Sequence, residues 1–170
     1  DNASFGNIYS GITTDGTNLY VAEFTSHKIR KIVIDNGTVT TLAGTGGASS
    51  NDGIGIDNAS FNGPMGITTD GKNLYVTEYT GNKIRKIVIS TKVVTTLQAS
   101  ETPGWAHRTG TEASFSSPWG ITTDGTNLYV AEFGSKKIRK IVIDNGSVST
   151  LAGTGGASSN DGTGIDNASF

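Results

Sequence analysis

The sequence predicts an all-β chain made of three copies of one four-stranded unit, and three observations carry that expectation. The run Gly-Ile-Thr-Thr-Asp-Gly begins at Gly11, Gly66 and Gly120 in a chain of 170 residues, and a fixed period of this kind marks a repeat architecture. Each unit is cut by Asp-Gly and Asn-Gly signals into runs of strand length rich in Ile, Val, Thr, Tyr and Phe, residues that suit a pleated, half-buried surface. No stretch of helical length carries a 3.6-residue apolar stripe before the next breaker arrives.

In the first unit the strands are expected over 11–14, 18–24, 28–34 and 38–43, which makes twelve in the whole chain. The first ends at Asp15-Gly16, where the Asp side chain can bond nearby backbone and the Gly can take a positive φ. Asp70 and Asp124 repeat that turn, so these carboxylates read as turn chemistry rather than as metal ligands or catalysts. The third and fourth strands are joined through Asp35-Asn36-Gly37. Polar and apolar residues do not alternate cleanly: Leu19 and Val21 fall on one face, Tyr20, Ala22 and Phe24 on the other. Both faces of each sheet must therefore be covered. Four-stranded units with two buried faces, repeated in tandem, are what a β-propeller needs, because each blade stacks between neighbours around an axis.

The units are not equally alike. Positions 11–61 and 120–170 differ only at Thr25/Gly134, His27/Lys136, Thr38/Ser147, Thr40/Ser149 and Ile54/Thr163, which points to recent duplication or deliberate construction. The middle unit departs over 98–112, where a segment containing Glu101, Pro103, Trp105, His107 and Arg108 replaces a loop of Gly, Ser and Asn.

Several short motifs recur together: Ala59-x-Phe61 leading to Pro64-x-Gly66-Ile67, then Asn73-Leu74-Tyr75-Val76-x-Glu78, then Lys83-Ile84-Arg85-Lys86-Ile87, with Val39-x-x-Leu42-Ala43-Gly44 and Asp52-Gly53 in the first unit. In this set the chain resembles NHL-repeat β-propellers along its whole length. Two departures stand out: Glu23, Glu78 and Glu132 replace the family's usual Asp, and Tyr9-Ser10-Gly11 replaces Pro-x-Gly in the first unit. The resemblance implies a propeller of NHL type, most often six-bladed, used mainly as a rigid platform for proteins, peptides, glycans or RNA, with some metal-dependent enzymes among its members. Fold alone limits function loosely.

The whole of 1–170 reads as one propeller segment, with repeats at about 3–58, 59–112 and 113–167 and with 168–170 opening a further one. Three blades in an open arc would leave two apolar sheet faces uncovered, at roughly 25 cal/mol per Å². The chain is therefore expected to complete a six-bladed ring as a homodimer, or to belong to a longer array. Asp1-Asn2-Ala3-Ser4-Phe5 is repeated at Asp166-Asn167-Ala168-Ser169-Phe170, so in a ring of two chains both pentapeptides claim one slot. An excised or engineered segment is the expected origin of that overlap.

Residues shared by every blade are expected to be scaffold, and residues that break the repeat to form any unique site. Glu23, Glu78 and Glu132 lie seven positions before Arg30, Arg85 and Arg139, across a hairpin, and are expected to form structural ion pairs. The alternative is a ring of carboxylates turned toward the axis to bind a metal. The candidate ligand contacts are Trp105, His107 and Arg108 in the divergent segment, together with Met65 and Trp119, which occupy the position held by Ser10 in the first unit. Trp and Arg are the side chains most enriched at binding hot spots.

With 13 basic against 15 acidic side chains and a net charge of -2, the chain lacks the uncompensated basic stripe that a phosphate backbone needs. Lys28, Arg30 and Lys31 and their counterparts are balanced by acids, so nucleic acid is not an expected partner. No apolar run approaches the ~18 residues of a membrane span, and no membrane partner is expected. No Cys is present, and the two His, His27 and His107, sit where no other unit repeats them, which leaves no thiolate nucleophile and no His-rich metal centre. No cofactor is expected. Calcium is the occupant weighed for the Asp- and Asn-rich loop 50–58, but that loop lacks the spacing of an EF-hand. The expected function is a non-enzymatic scaffold that binds a protein, peptide or glycan; the alternative is a metal-dependent hydrolase or lyase on the same ring. A Cys-free composition rich in Gly, Ser, Thr and Asn suits a bacterial extracellular or periplasmic protein.

Overall fold

The structure, a computed structural model, describes residues 4–6, 10–99 and 113–170. It contains three antiparallel sheets in chain order. The first blade is β1 (Ile12–Thr14), β2 (Asn18–Glu23), β3 (Lys28–Val33) and β4 (Val39–Ala43), paired as β1-β2-β3-β4. The second consists of β6 (Pro64–Thr69), β7 (Asn73–Glu78), β8 (Lys83–Val88) and β9 (Val93–Ala99), and gains β5 (Gly53–Ile54) on its outer edge in the order β5-β9-β8-β7-β6. The third is β10 (Pro118–Thr123), β11 (Asn127–Glu132), β12 (Lys137–Val142) and β13 (Val148–Ala152), followed by a single helical turn, α1 (Gly164–Asn167).

Three expectations need correction. The described residues hold thirteen strands rather than twelve, so the middle blade is five-stranded. The extra strand, β5, lies in the Gly- and Asp-rich connector between blades 1 and 2, where Gly53 pairs with Val94 and Ile54 with Val93. Its poor strand composition hid it, and an ion pair reaching across from Asp52 to Arg85 anchors it. The last connector carries α1 where no helix was expected. Strand ends also fall a residue short, at Glu23 and Val33, because the chain turns there. None of the described helices is long and apolar enough to cross a membrane.

The core lies between blades rather than within one. Tyr20, Ala22 and Ile29 of blade 1 pack against Leu74, Val76 and Ile87 of blade 2, with Ala59 and Phe61 of the connector completing the layer. Tyr75 and Ile84, on the opposite face of blade 2, pack against Leu128, Val130 and Ile141 of blade 3 with Ala113 and Phe115. The two faces of the sheet thus serve two different neighbours, which accounts for the failure of alternation in the sequence.

At both ends of the arc the same positions lose their cover. Ile12 is 59% exposed where Ile67 is 5% exposed, and Leu151 is 48% exposed where Leu42 is 4% exposed. Phe133 and Phe170 also stand open at the far end.

Candidate functional site

The innermost strands of the three blades, β1, β6 and β10, converge. The Gly11 amide donates to the Met65 carbonyl at 2.6 Å, and the Thr77 hydroxyl donates to the Trp119 carbonyl at 2.8 Å. The repeated Gly before each Ile permits this approach: a Cβ on Gly66 would stand 2.3 Å from the Trp119 carbonyl oxygen, and one on Gly11 would stand 2.9 Å from the Ile67 amide. Positions 10–12, 65–67 and 119–121 line a cleft of about 330 Å³ along this axis. Among these described residues the side chains are apolar or neutral.

An aromatic shelf borders the cleft. Trp119 meets Tyr79 edge-on at 5.5 Å between ring centroids and Phe133 at 5.9 Å, and Phe24 continues the row at 6.2 Å from Tyr79. Trp119 is 44% exposed and Phe133 63% exposed, so the shelf presents ring surface to solvent. Phe24, Tyr79 and Phe133 each follow the Glu that ends a second strand. That is the signal sequence reasoning missed, because the residue was treated as one more strand position. Met65 also lines the cleft but is almost fully buried, so it forms a wall rather than an exposed contact. Trp105, His107 and Arg108 lie outside the described residues.

The carboxylates shared by all blades are engaged elsewhere. Glu78 pairs with Arg85 at 2.7 Å, Glu132 with Arg139 at 3.2 Å and Glu23 with Arg30 at 3.3 Å. Register explains the seven-residue spacing: Val21 faces Arg30 across the β2–β3 hairpin, and Glu23 lies two residues on, over the same face. Each guanidinium also lies over a ring, Arg85 on Phe61, Arg139 on Phe115 and Arg30 on Phe5, at 5.3 to 5.4 Å. Burial pushes the Glu78 and Glu132 carboxyls above the usual range. The Arg85 charge for Glu78, and the Ser135 hydroxyl, Ser116 amide and Arg139 for Glu132, offset this only in part.

The Asp-Gly turns are closed by the Asp side chain itself. Asp15 accepts from the Thr17 and Asn18 amides at 2.9 and 2.7 Å and from the Tyr20 hydroxyl at 2.7 Å; Asp70 and Asp124 repeat the clasp with Tyr75 and Tyr129. Burial works to raise Asp15 and Asp70, but their hydrogen bonds outweigh it and hold both below the usual carboxylate range. At Asp124 the bonds, from Asn127 first, lower it directly.

The sign for pH follows from these directions. A lowered folded-state pKa contributes stability that is present above the unfolded Asp value and lost as pH falls through the folded one; a raised Glu contributes stability that is present below the unfolded value and lost as pH rises. Thermal melts are therefore expected to show no loss between pH 7 and about 5 and a decline below about pH 4. Stability that does not fall below about pH 4 would contradict the clasps.

Among the described residues, no group of three or more His, Asp or Glu side chains gathers closely enough to hold a metal ion. In the loop weighed for calcium, Asp52 accepts from Arg85 and from the Thr96 hydroxyl, and the Asn58 side chain accepts from the Ile54 amide. Burial works to raise Asp52, but the Thr96 amide and hydroxyl together with Arg85 hold it below its ordinary value.

No family model matches the chain. It is 34% identical over 145 residues to the human protein NHL repeat-containing protein 2, a match covering 78% of this chain and 20% of that protein. The chain thus spans about a fifth of the length of that curated relative. Among solved structures, a Bacteroides thetaiotaomicron protein of unknown function is 28% identical, with a TM-score of 0.63 over 78% of this chain and 32% of that one. An auxiliary nutrient binding protein of Bacteroides ovatus shares the fold at 17% identity, with a TM-score of 0.70 over 94% of this chain and 40% of that one. With three blade-like sheets, blade-to-blade cores and the repeated motifs already on the page, this likeness shows that the chain is homologous to NHL-repeat-containing proteins.

Proposed function

We propose that this chain is a non-enzymatic binding module whose axial cleft and aromatic shelf hold a neutral ligand, a glycan or a segment of peptide or protein. The observation that carries the proposal is the exposed Trp119 ring, set at the lip of a cleft walled by apolar and neutral side chains. Aromatic faces stack on sugar rings and on apolar peptide groups, and a rigid platform keeps the ordering cost of binding low. No acid–base pair faces this cleft among its described lining residues, so the geometry favours holding a ligand over transforming it. The Bacteroides ovatus protein of the same fold is an auxiliary nutrient binding protein, which is in keeping with this reading.

Self-association belongs to this reading. Two copies meeting head to tail would cover the exposed faces of blades 1 and 3 and close a ring of six blades, with the cleft completed on its axis. The binding test is isothermal titration calorimetry with neutral oligosaccharides and unstructured peptides. Trp119→Ala is expected to weaken binding about 10-fold or more while leaving the melting temperature within a few degrees. Binding unchanged by Trp119→Ala would place the ligand elsewhere.

A further inference from the structure

The junction between blades 1 and 2 contains a strap, and the chain carries a second, folded copy of it. In that junction the connector reaches onto the next blade: Ser50 donates to Glu78 at 2.6 Å, Arg85 Nη2 donates to the Asn51 carbonyl and the Asp52 carboxylate at 2.9 Å each, and β5 extends the edge of β9. Ser159, Asn160, Asp161, Gly162 and Thr163 occupy the same places after blade 3.

This second connector holds its shape without a blade to grip. The Thr154 amide donates to Ala168 at 2.9 Å, the Ser158 and Ser169 hydroxyls meet at 2.8 Å, and the Asn160 amide donates to Ser169 at 3.2 Å. The first connector makes the same three contacts through Thr45, Ser49 and Asn51. Ser159 and Asp161 are exposed.

The matching receptor is blade 1. Arg30 Nη1 reaches Glu23 and the Ser4 carbonyl, but Nη2, the atom that in Arg85 grips the strap, makes no bond to a described residue. Among the described residues the edge of β4 also lacks the fifth strand that β5 supplies to β9. Phe5 lies over Arg30 as Phe61 lies over Arg85, so the front of the slot is filled by Ser4 and Phe5, whose sequence context Asp1-Asn2-Ala3-Ser4-Phe5 is identical to Asp166-Asn167-Ala168-Ser169-Phe170.

We infer that residues 159–170 of one copy form a strap that docks on blade 1 of a second copy, with Asp161 pairing to Arg30 Nη2 and Phe170 replacing Phe5 over the guanidinium. The occupant is a second copy because charge, edge register and pentapeptide all match a junction the chain already makes. Like replaces like over the ring and at the Ser4 carbonyl, which Ser169 matches, while the Asp161 ion pair and the added edge strand are new, so exchange favours the strap. Residues 4–5 yield because, among the described residues, Ser4 and Phe5 are tied to Arg30 alone, whereas Ala168 and Ser169 are tied into their own connector. The inference rests on the self-association proposed above.

The experiment is sedimentation equilibrium on the 170-residue chain, on Asp161→Ala and on a variant lacking residues 1–5. Asp161→Ala is expected to weaken the dimer about 10-fold, with unchanged circular dichroism because its side chain is exposed. Removal of residues 1–5 takes away the competitor and is expected to tighten the dimer by a similar factor. A dimer unaffected by Asp161→Ala, or weakened by the truncation, overturns the strap and leaves the ring standing. A parent chain that stays monomeric up to about 100 µM overturns the ring itself and the strap with it.

Discussion

Arg85→Ala is expected to cost the fold about 3–5 kcal/mol, enough to leave much of the chain unfolded at room temperature. Arg85 is fully buried and holds four partners: the Ser60 and Asn51 carbonyls and the Glu78 and Asp52 carboxylates, all at 2.7 to 2.9 Å. Truncation would leave the Glu78 carboxylate buried without its cation, where burial already works against its charge. Arg30 provides the internal control. It bears the same motif but among the described residues hydrogen-bonds only Glu23 and Ser4, so Arg30→Ala in the monomer is expected to cost about 1–2 kcal/mol. Urea denaturation of both variants checks the contrast, and equal losses would contradict the role given to the connector.

The second large effect is expected at Gly66. A Cβ there would press on the Trp119 carbonyl oxygen at 2.3 Å and the Ile121 amide at 3.1 Å. These are backbone atoms on the neighbouring blade and cannot swing aside, so Gly66→Ala should cost about 2–3 kcal/mol. Gly120, at the same position in blade 3, meets nothing nearer than the Ala131 Cβ at 3.9 Å. Gly120→Ala should therefore leave monomer stability within about 0.5 kcal/mol. It should nevertheless weaken self-association, because in a closed ring this Gly would face the innermost strand of the second copy. Melting and sedimentation of the two variants separate the effects. A Gly120→Ala chain that unfolds like Gly66→Ala would show that the position matters within the blade rather than between blades.

What the sequence made legible is what is local or repeated. Asp15-Gly16 announced its turn because the carboxylate bonds amides two and three residues away. Glu23 and Arg30 announced their pairing because a short hairpin fixes which residues share a face. The failed alternation of Leu19, Tyr20, Val21 and Ala22 announced two covered faces. The rest depends on how blades meet. Tyr79 and Trp119 are forty positions apart and become neighbours only when blade 2 packs on blade 3. The edge strand Gly53–Ile54 lies in a segment poor in strand-forming residues and is set by Asp52 reaching Arg85. Neither leaves a mark in local composition.

Gly120 copies Gly66, which has a task at the junction of blades 2 and 3, and Asp161 copies Asp52, which has one at the junction of blades 1 and 2.

The direct test of this account is the mass of the chain in solution, read by native mass spectrometry or light scattering across a range of concentrations. Closure of two half-rings predicts a discrete species at twice 17.6 kDa that grows with concentration and does not extend to a ladder. A single species at 17.6 kDa throughout the range would contradict it.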